Sequence, residues 1–173
     1  MAQETKNLMK EIRLEKVVLN MGVGKSGDAI EVAKTALEQI SGKKPNSRNA
    51  KKAQRDWGVR KNEPIGVAVT VRHDDAKTLL KKLFEAKGNT VNGKSIDSEG
   101  NLSFGILEHI DIPGIKYDPK IGILGLNITV NLSRPGYSIK VRSKHKAKIG
   151  KHHKITPEEA KDYLAKEFGV NVR

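Results

Sequence analysis

Glu11 to Val23, EIRLEKVVLNMGV, alternates apolar and polar side chains and predicts a strand. Ile12, Leu14 and Val18 fall on one face, Val17, Leu19 and Met21 on the other, and Asn20 shares the face of Val18. Asp28, with Glu31 three residues on, reads as the capping box of a helix striped by Ile30, Ala33, Leu37 and Ile40 and stopped at Gly42. PIGVAVTVR alternates again, sending Ile65, Val67, Val69 and Val71 one way and Gly66, Ala68, Thr70 and Arg72 the other. A strand face this small and polar is left open to a flat partner. From near Asp74, Ala76, Leu79, Leu80, Leu83 and Phe84 recur at helical spacing and predict a helix over the apolar side of the sheet. Asn89 to Asn101 is rich in turn residues and reads as a loop, followed by a strand at LSFGILEHI. ITVNLSRPGYSIKVR predicts a hairpin, with Ile128, Val130 and Leu132 before Arg134-Pro135-Gly136 and Tyr137, Ile139 and Val141 after it. Thr156, Pro157 and Glu159 mark the start of a last helix that carries Ala160, Tyr163, Leu164 and Phe168 and ends at Gly169. No repeat or long linker divides the chain. The expectation is one α+β domain over residues 1–173, with helices on one face of a largely antiparallel sheet and a flexible stretch at 1–10.

Charge changes this picture. Against 20 Asp and Glu stand 33 Lys and Arg, a net charge of +13, which points to a polyanion and above all to nucleic acid. The excess is concentrated. Lys43, Lys44, Arg48, Lys51, Lys52, Arg55, Arg60 and Lys61 face a single acid, Asp56, and Arg142 to Lys154 contains no acid at all. Residues 51–62 and 142–154 are read as basic extensions, while Glu85 to Pro119 is mildly acidic, so the molecule has two unlike sides. Cysteine is absent, which removes disulfides, thiolate metal sites and cysteine nucleophiles. No stretch reaches membrane-span length, and Met1 to Lys10 lacks the apolar core of a signal peptide, so a cytoplasmic protein with no membrane partner is expected.

Two kinds of chemistry do not fit the residues. Gly24-Lys25-Ser26 ends like a phosphate-binding loop, but the glycine that must open the curl would fall at Leu19, so the signature is broken. A glycine turn before a helix still offers a place for a backbone phosphate. His73, His109, His145, His152 and His153 fit no metal spacing, and the last three sit among cations. Glu108, His109 and Asp111 read as a loop with solvated carboxylates, and no serine lies in a nucleophile elbow. No catalytic residue, metal or cofactor is expected.

Five stretches in register carry a resemblance: VVLNMGVGKSGD, ISGKKP, AKKAQRDWGVRKNEPIGVAVTVR, GNLSFGILEHIDIPGIKYDPKIGILG and RPGYSIKVR. Together they resemble the universal family of large-subunit ribosomal proteins that bind 5S rRNA. Ile112-Pro113-Gly114 before Ile115-Lys116-Tyr117-Asp118-Pro119, with KHHKITPEEA near the end, looks like its archaeal branch. The resemblance implies a scaffold in the central protuberance that binds 5S rRNA and meets 23S rRNA, the P-site tRNA, a small-subunit head protein and neighbouring large-subunit proteins. Carried over residue by residue, it implies rRNA contacts at Asn20, Gly22, Gly24, Lys25, Lys43, Lys44, Arg48, Thr70 and Arg72. It implies a tRNA-facing loop at Lys51, Lys52, Gln54, Arg55, Trp57, Gly58 and Arg60. A subunit bridge is implied at Ile112, Pro113, Gly114, Lys116, Tyr117 and Asp118. Lys43 stands where the family usually has Gln, so this position either takes over a base-edge contact or meets only a phosphate. Read from the residues alone, Asn20 either meets RNA or caps its own turn, and Trp57 either stacks on a base or folds back as a plug. A nucleotide-binding enzyme and a nonspecific basic nucleic-acid-binding protein are the rival readings.

Overall fold

The computed structural model describes residues 7–24 and 26–172. The chain forms β1 (Arg13–Gly22), α1 (Asp28–Ser41), β2 (Asn46–Asn49), β3 (Pro64–Arg72), α2 (His73–Ala86), β4 (Thr90–Val91), β5 (Leu102–Ile106), β6 (Leu126–Ser133), α3 (Ser138–Val141), α4 (Pro157–Phe168) and β7 (Asn171–Val172). Five strands make one sheet in the order β2-β3-β1-β6-β5, antiparallel at every step, and β4 and β7 form a separate parallel pair. This is the α+β architecture that the hydrophobic pattern predicts.

One face of the sheet and the helices share a single apolar core. Val17, Leu19 and Met21 of β1, Val67, Val69 and Val71 of β3, and Ile128, Val130 and Leu132 of β6 meet Ile30 and Leu37 of α1, Leu80, Leu83 and Phe84 of α2, and Ala160 and Leu164 of α4. Phe84 stacks on Phe104 of β5 at 5.3 Å and meets the edge of Phe168 of α4 at 5.6 Å, which ties three elements to one ring. Side chains as large as these contribute about 1.5–3 kcal/mol each when fully buried, so the core side of the sheet is where stability resides.

Helix signals within α4 hold in full. Thr156 Oγ1 accepts the Glu159 N–H, Glu159 Oε2 accepts the Thr156 N–H, Pro157 opens the first turn and Gly169 ends it at φ +65°. The box expected at Asp28 does not form. Gly27 occupies the cap at φ +102° with no side-chain bond, Asp28 is the first helical residue, and Glu31 pairs with Lys34 at 2.7 Å.

Three further expectations are corrected. Leu14 lies in the core with Val17 rather than opposite it, because the pairing with β6 slips between Leu14 and Lys16 and the bulge returns Leu14 to the buried face. The hairpin at Arg134-Pro135-Gly136 does not form: β1 and β5 already flank β6, so no edge remains for a returning strand, and residues 138–141 coil into α3. The strand begun at Leu102 ends at Ile106, and a 3-10 turn at His109–Asp111 follows. Three strands are unforeseen: the short pair β4 and β7, the first of them inside the stretch read as a loop, and β2 in the basic block, whose side chains show no apolar alternation because an edge strand is held by its backbone pairing to β3.

Candidate nucleic-acid interface

The helices cover one face of the sheet, and the strand register dictates what the other presents. Asn20 lies between Ala68 of β3 and Asn127 of β6, with Gly105 beyond on β5 and Asn46 beside Ala68 on β2. In the next row Val18 lies between Thr70 and Thr129, with Ser103 beyond. Lys16 then lies between Arg72 and Asn131, and at the other end Gly22 pairs with Gly66, which pairs with Arg48. The result is a low surface of Asn, Thr, Ser and Gly with cations at its margins.

Two glycines keep that surface flat. A Cβ on Gly66 would meet the Met21 carbonyl oxygen at 2.8 Å, so β1 and β3 approach as closely as they do only because the side chain is missing. A Cβ on Gly105 would press on Asn127 Oδ1 at 3.3 Å. Some polar groups on the face are paired to one another: Ser103 Oγ lies 2.9 Å from Thr129 Oγ1, and Asn131 donates to Asn101 Oδ1 at 3.1 Å. Asn20 is exposed and, among the described residues, makes no side-chain hydrogen bond, so it does not cap its own turn. Its amide is free to donate and accept.

The glycine turn after β1 is wired inward. Val23 and Gly24 both donate their N–H to the Ile65 carbonyl, at 3.0 and 2.9 Å, so these groups do not line a phosphate cradle. Ser26, which a phosphate loop would turn toward magnesium, donates instead to the Glu63 carboxylate. Both facts oppose the nucleotide-binding reading. Gly22 is exposed and Gly24 takes φ +76°, and Lys25 lies outside the described residues.

The cations divide into paired and unpaired. Lys43 Nζ lies 2.8 Å from Asp75 Oδ2 at the start of α2, in the helical layer, and its ammonium holds the Asp75 carboxyl below the usual range. Arg72 approaches Glu15 only to 4.0 Å. Lys44 and Arg48 are exposed and carry no ion pair among the described residues, and Arg48 projects from β2 on the open side.

Residues 51–62 form a compact turn between β2 and β3. Ala50 N–H donates to the Glu63 carbonyl at 2.8 Å and Asn62 N–H to the Ala50 carbonyl at 2.9 Å, closing the base. Gln54 and Val59 exchange two backbone bonds at 2.8 and 3.0 Å around a 3-10 turn at Arg55–Trp57, which Gly58 ends at φ +65°. Trp57 is 78% exposed, which removes the plug alternative. Lys51, Lys52, Arg55 and Arg60 are exposed around it. Glu63 joins this turn to the one after β1: it accepts from Ser26 and from the Arg60 N–H at 2.8 Å, and these bonds hold its carboxyl below the usual range. Between the two turns runs a groove of about 270 Å³ lined by Gly24, Ser26, Trp57, Gly58, Val59 and Glu63.

In the third expected stretch Ile112 is 2% exposed and belongs to the core, so outward contacts fall to its neighbours. Gly114, Lys116 and Tyr117 are exposed, Pro113 is half-buried, and Asp118 accepts the Lys120 N–H at 2.9 Å. Glu108 and Asp111 are exposed, as the reading of solvated carboxylates expects, whereas His109 between them turns inward. It is buried, and its Nδ1 accepts the Leu124 N–H at 3.3 Å, pinning the 3-10 turn to the loop that leads into β6. Sequence reasoning missed Asn127, Thr129, Asn131 and Ser103 as members of the open face, although alternation with Ile128 and Val130 on β6, and with Leu102 and Phe104 on β5, marked the side they occupy.

Comparison with known proteins agrees with this arrangement. Residues 7–60 match the family model described as ribosomal protein L5, and residues 64–171 match the model of the same ribosomal family's C-terminus. The two matches meet at the base of the 51–62 turn, yet they share one sheet, since β1 sits between β3 and β6. Three archaeal relatives are each called large ribosomal subunit protein uL5. That of Nitrosopumilus maritimus is 73% identical over 172 residues, covering 99% of each chain. That of Cenarchaeum symbiosum is 65% identical over 164 residues, covering 95% of this chain and 97% of the relative. That of Pyrobaculum aerophilum is 46% identical over 164 residues, covering 95% and 92%. A helix-covered sheet with a bare polar face, matched along nearly its whole length by both halves of one family, places the chain in the ribosomal protein L5 family.

Proposed function

We propose that this chain is a structural component of the large ribosomal subunit that binds 5S rRNA through the open face of its sheet and performs no catalysis. The observation that carries the reading is the helix-free surface around Asn20, where short donors and acceptors are spread over a plane that Gly66 and Gly105 keep low. A-form RNA presents a wide, shallow minor groove lined with 2′-hydroxyls and base edges, and a flat carpet of amides and hydroxyls is complementary to it. Asn20 and Thr70 meet sugar or base edges. Arg48, Lys44 and Arg72 at the margin meet phosphates, while Gly22 and Gly24 let the backbone come close and Lys25 adds charge at that end. Lys43 reaches RNA only by leaving Asp75, so we give it the smaller share.

The turn at 51–62 then faces the P-site tRNA, with Trp57 offering an exposed indole for stacking and Lys51, Lys52, Arg55 and Arg60 supplying charge beside Gln54 and Gly58. Lys116 and Tyr117, with Pro113, Gly114 and Asp118, face the small-subunit head protein, and Ile112 supports them from the core. Contacts with 23S rRNA and neighbouring large-subunit proteins complete the site in the central protuberance. A nonspecific polyanion binder would need charge at the centre of its surface, whereas here the centre is neutral and the charge lies at the rim.

Expression of the chain with an affinity tag in an archaeal host tests this directly. Recovery with assembled large subunits, with 5S rRNA retained after the subunits are dissociated, is the expected result. A tagged chain that folds but sediments apart from large subunits would overturn the reading.

A further inference from the structure

The sheet face and the 51–62 turn leave the second cationic block unused. Residues 134–156 form a loop whose neck is extensively bonded. Arg134, 6% exposed, donates through Nη1 to the carbonyls of His153 and Lys154 at 3.4 and 3.3 Å and through Nη2 to Glu159 at 2.7 Å. The Tyr137 hydroxyl donates to the His153 carbonyl at 3.2 Å and accepts the Ile155 N–H at 3.1 Å, and His153 Nε2 lies 2.9 Å from the Pro135 carbonyl. Glu99 takes up the two lysines flanking the tip, Lys140 at 2.7 Å and Lys154 at 3.3 Å. Neck charges are thus neutralised or bonded internally. Those of the tip are less engaged: Arg142 donates through Nε to the His145 carbonyl at 2.8 Å but carries no ion pair, and Lys144, Lys146, Lys148 and Lys151 are exposed with neither ion pair nor side-chain hydrogen bond among the described residues.

An ordered neck that holds five cations with no neutralising acid on a short tip concentrates repulsion that a solvated loop would relieve by spreading. A phosphate backbone relieves it better, because each cation that meets a phosphate releases a condensed counterion. Position adds a second argument. The tip leaves the sheet beyond Ser133, which pairs with Arg13, while the 51–62 turn joins it beside Gly22 and Gly66, at the opposite end of β1. The strand between spans roughly 30 Å at about 3.3 Å per residue. That is several times the Debye length of about 8 Å at physiological salt, so the two cationic blocks act as separate electrostatic sites.

We propose that the tip at residues 142–152 is a second RNA-binding surface, which grips the phosphate backbone of a helical RNA segment independently of the open sheet face. The proposal goes beyond the preceding reading and needs from it only that the chain meets RNA. The surface carries affinity without sequence, since lysines on an extended tip offer point charges and no base-reading plane.

The test uses the full chain, a 20-base-pair RNA duplex unrelated to 5S rRNA, and filter binding over a range of salt. Two variants are compared: Lys144→Gln/Lys146→Gln/Lys148→Gln/Lys151→Gln, altered only at exposed side chains, and Asn20→Ala/Thr70→Ala on the sheet face. Circular dichroism melts matching the parent establish that both fold. The tip variant should lower the slope of log affinity against log salt by about three, at about 0.7–0.9 for each phosphate no longer neutralised, and the face variant should leave it unchanged. A chain indifferent to the identity of 5S rRNA but showing this tip-dependent slope would overturn the 5S reading and support the tip. An unchanged slope in the tip variant would overturn the tip proposal whatever the 5S result, as would tip-dependent retention of an acidic peptide with none of the duplex.

Discussion

The Ser26 hydroxyl donates to the Glu63 carboxylate across 37 residues of sequence, and through that bond the turn after β1 and the turn before β3 are held as one unit. Glu63 also accepts the Arg60 N–H, so its two oxygens tie the glycine turn at the end of the open face to the Trp57 turn beside it. Both bonds favour the ionised carboxylate and depress its pKa from the ordinary 4.5, the Ser26 bond most. A depressed carboxylate supports the fold above its unfolded pKa and loses that support as pH falls through the folded one. The latch is therefore whole at neutral pH and opens only in acid, as pH falls through the lowered pKa of the folded state. Glu63→Gln should reproduce the open form at neutral pH. Amide exchange at Gln54 and Val59 reports it: faster exchange in the variant is expected, with exchange at Leu80 and Leu83 in the core unchanged.

Arg134 and Glu159 make a second long-range pair, and here burial raises the stakes. Glu159→Ala removes the partner of a guanidinium that is 6% exposed and also breaks the box at the start of α4. The expected loss is about 1–3 kcal/mol in a denaturant titration, larger than that of an exposed ion pair. Lys34→Ala, which removes the exposed Glu31 pair, supplies the contrast, with an expected change below about 0.5 kcal/mol.

On the open face, Asn20→Ala should weaken 5S rRNA binding by about 1–3 kcal/mol where the amide reads a base edge. The melting temperature should stay that of the parent, because Asn20 is exposed and makes no side-chain bond among the described residues. Gel-shift titration and a thermal melt on the same preparation measure both.

Trp57 tests whether the turn and the open face meet different RNAs, as proposed. A base–aromatic stack contributes about 1–3 kcal/mol, and an indole 78% exposed makes little internal packing to lose. Trp57→Ala should lower tRNA affinity in a fluorescence-anisotropy titration and leave 5S rRNA affinity as it was. A loss confined to 5S rRNA would assign the turn to the other partner.

What the sequence discloses depends on how local each cause is. The α4 box needs only Thr156, Pro157 and Glu159, and the stripe from Ala76 to Phe84 needs one turn geometry, so both are legible. The hairpin after β6 is misread because its turn residues are right for a hairpin while the decisive fact, that β1 and β5 flank β6, lies far away in the chain. Leu14 is misplaced by one bulge, since a single slip exchanges the faces of a strand. β2 leaves no pattern because backbone pairing alone holds it. The open face is half legible: alternation singles out Asn20 and Thr70, but Asn127 and Thr129 join them only once β6 is known to lie beside β1. Neither the Glu63 latch nor the buried Arg134 has any local signature, for each is completed by residues tens of positions away.

Competition filter binding at moderate salt bears most directly on the central claim, with labelled 5S rRNA challenged by unlabelled 5S rRNA and by an unrelated folded RNA of the same length. The account predicts that only 5S rRNA displaces the label efficiently and that Asn20→Ala/Thr70→Ala narrows the difference. Equal displacement by both RNAs, unaffected by those substitutions, would contradict it.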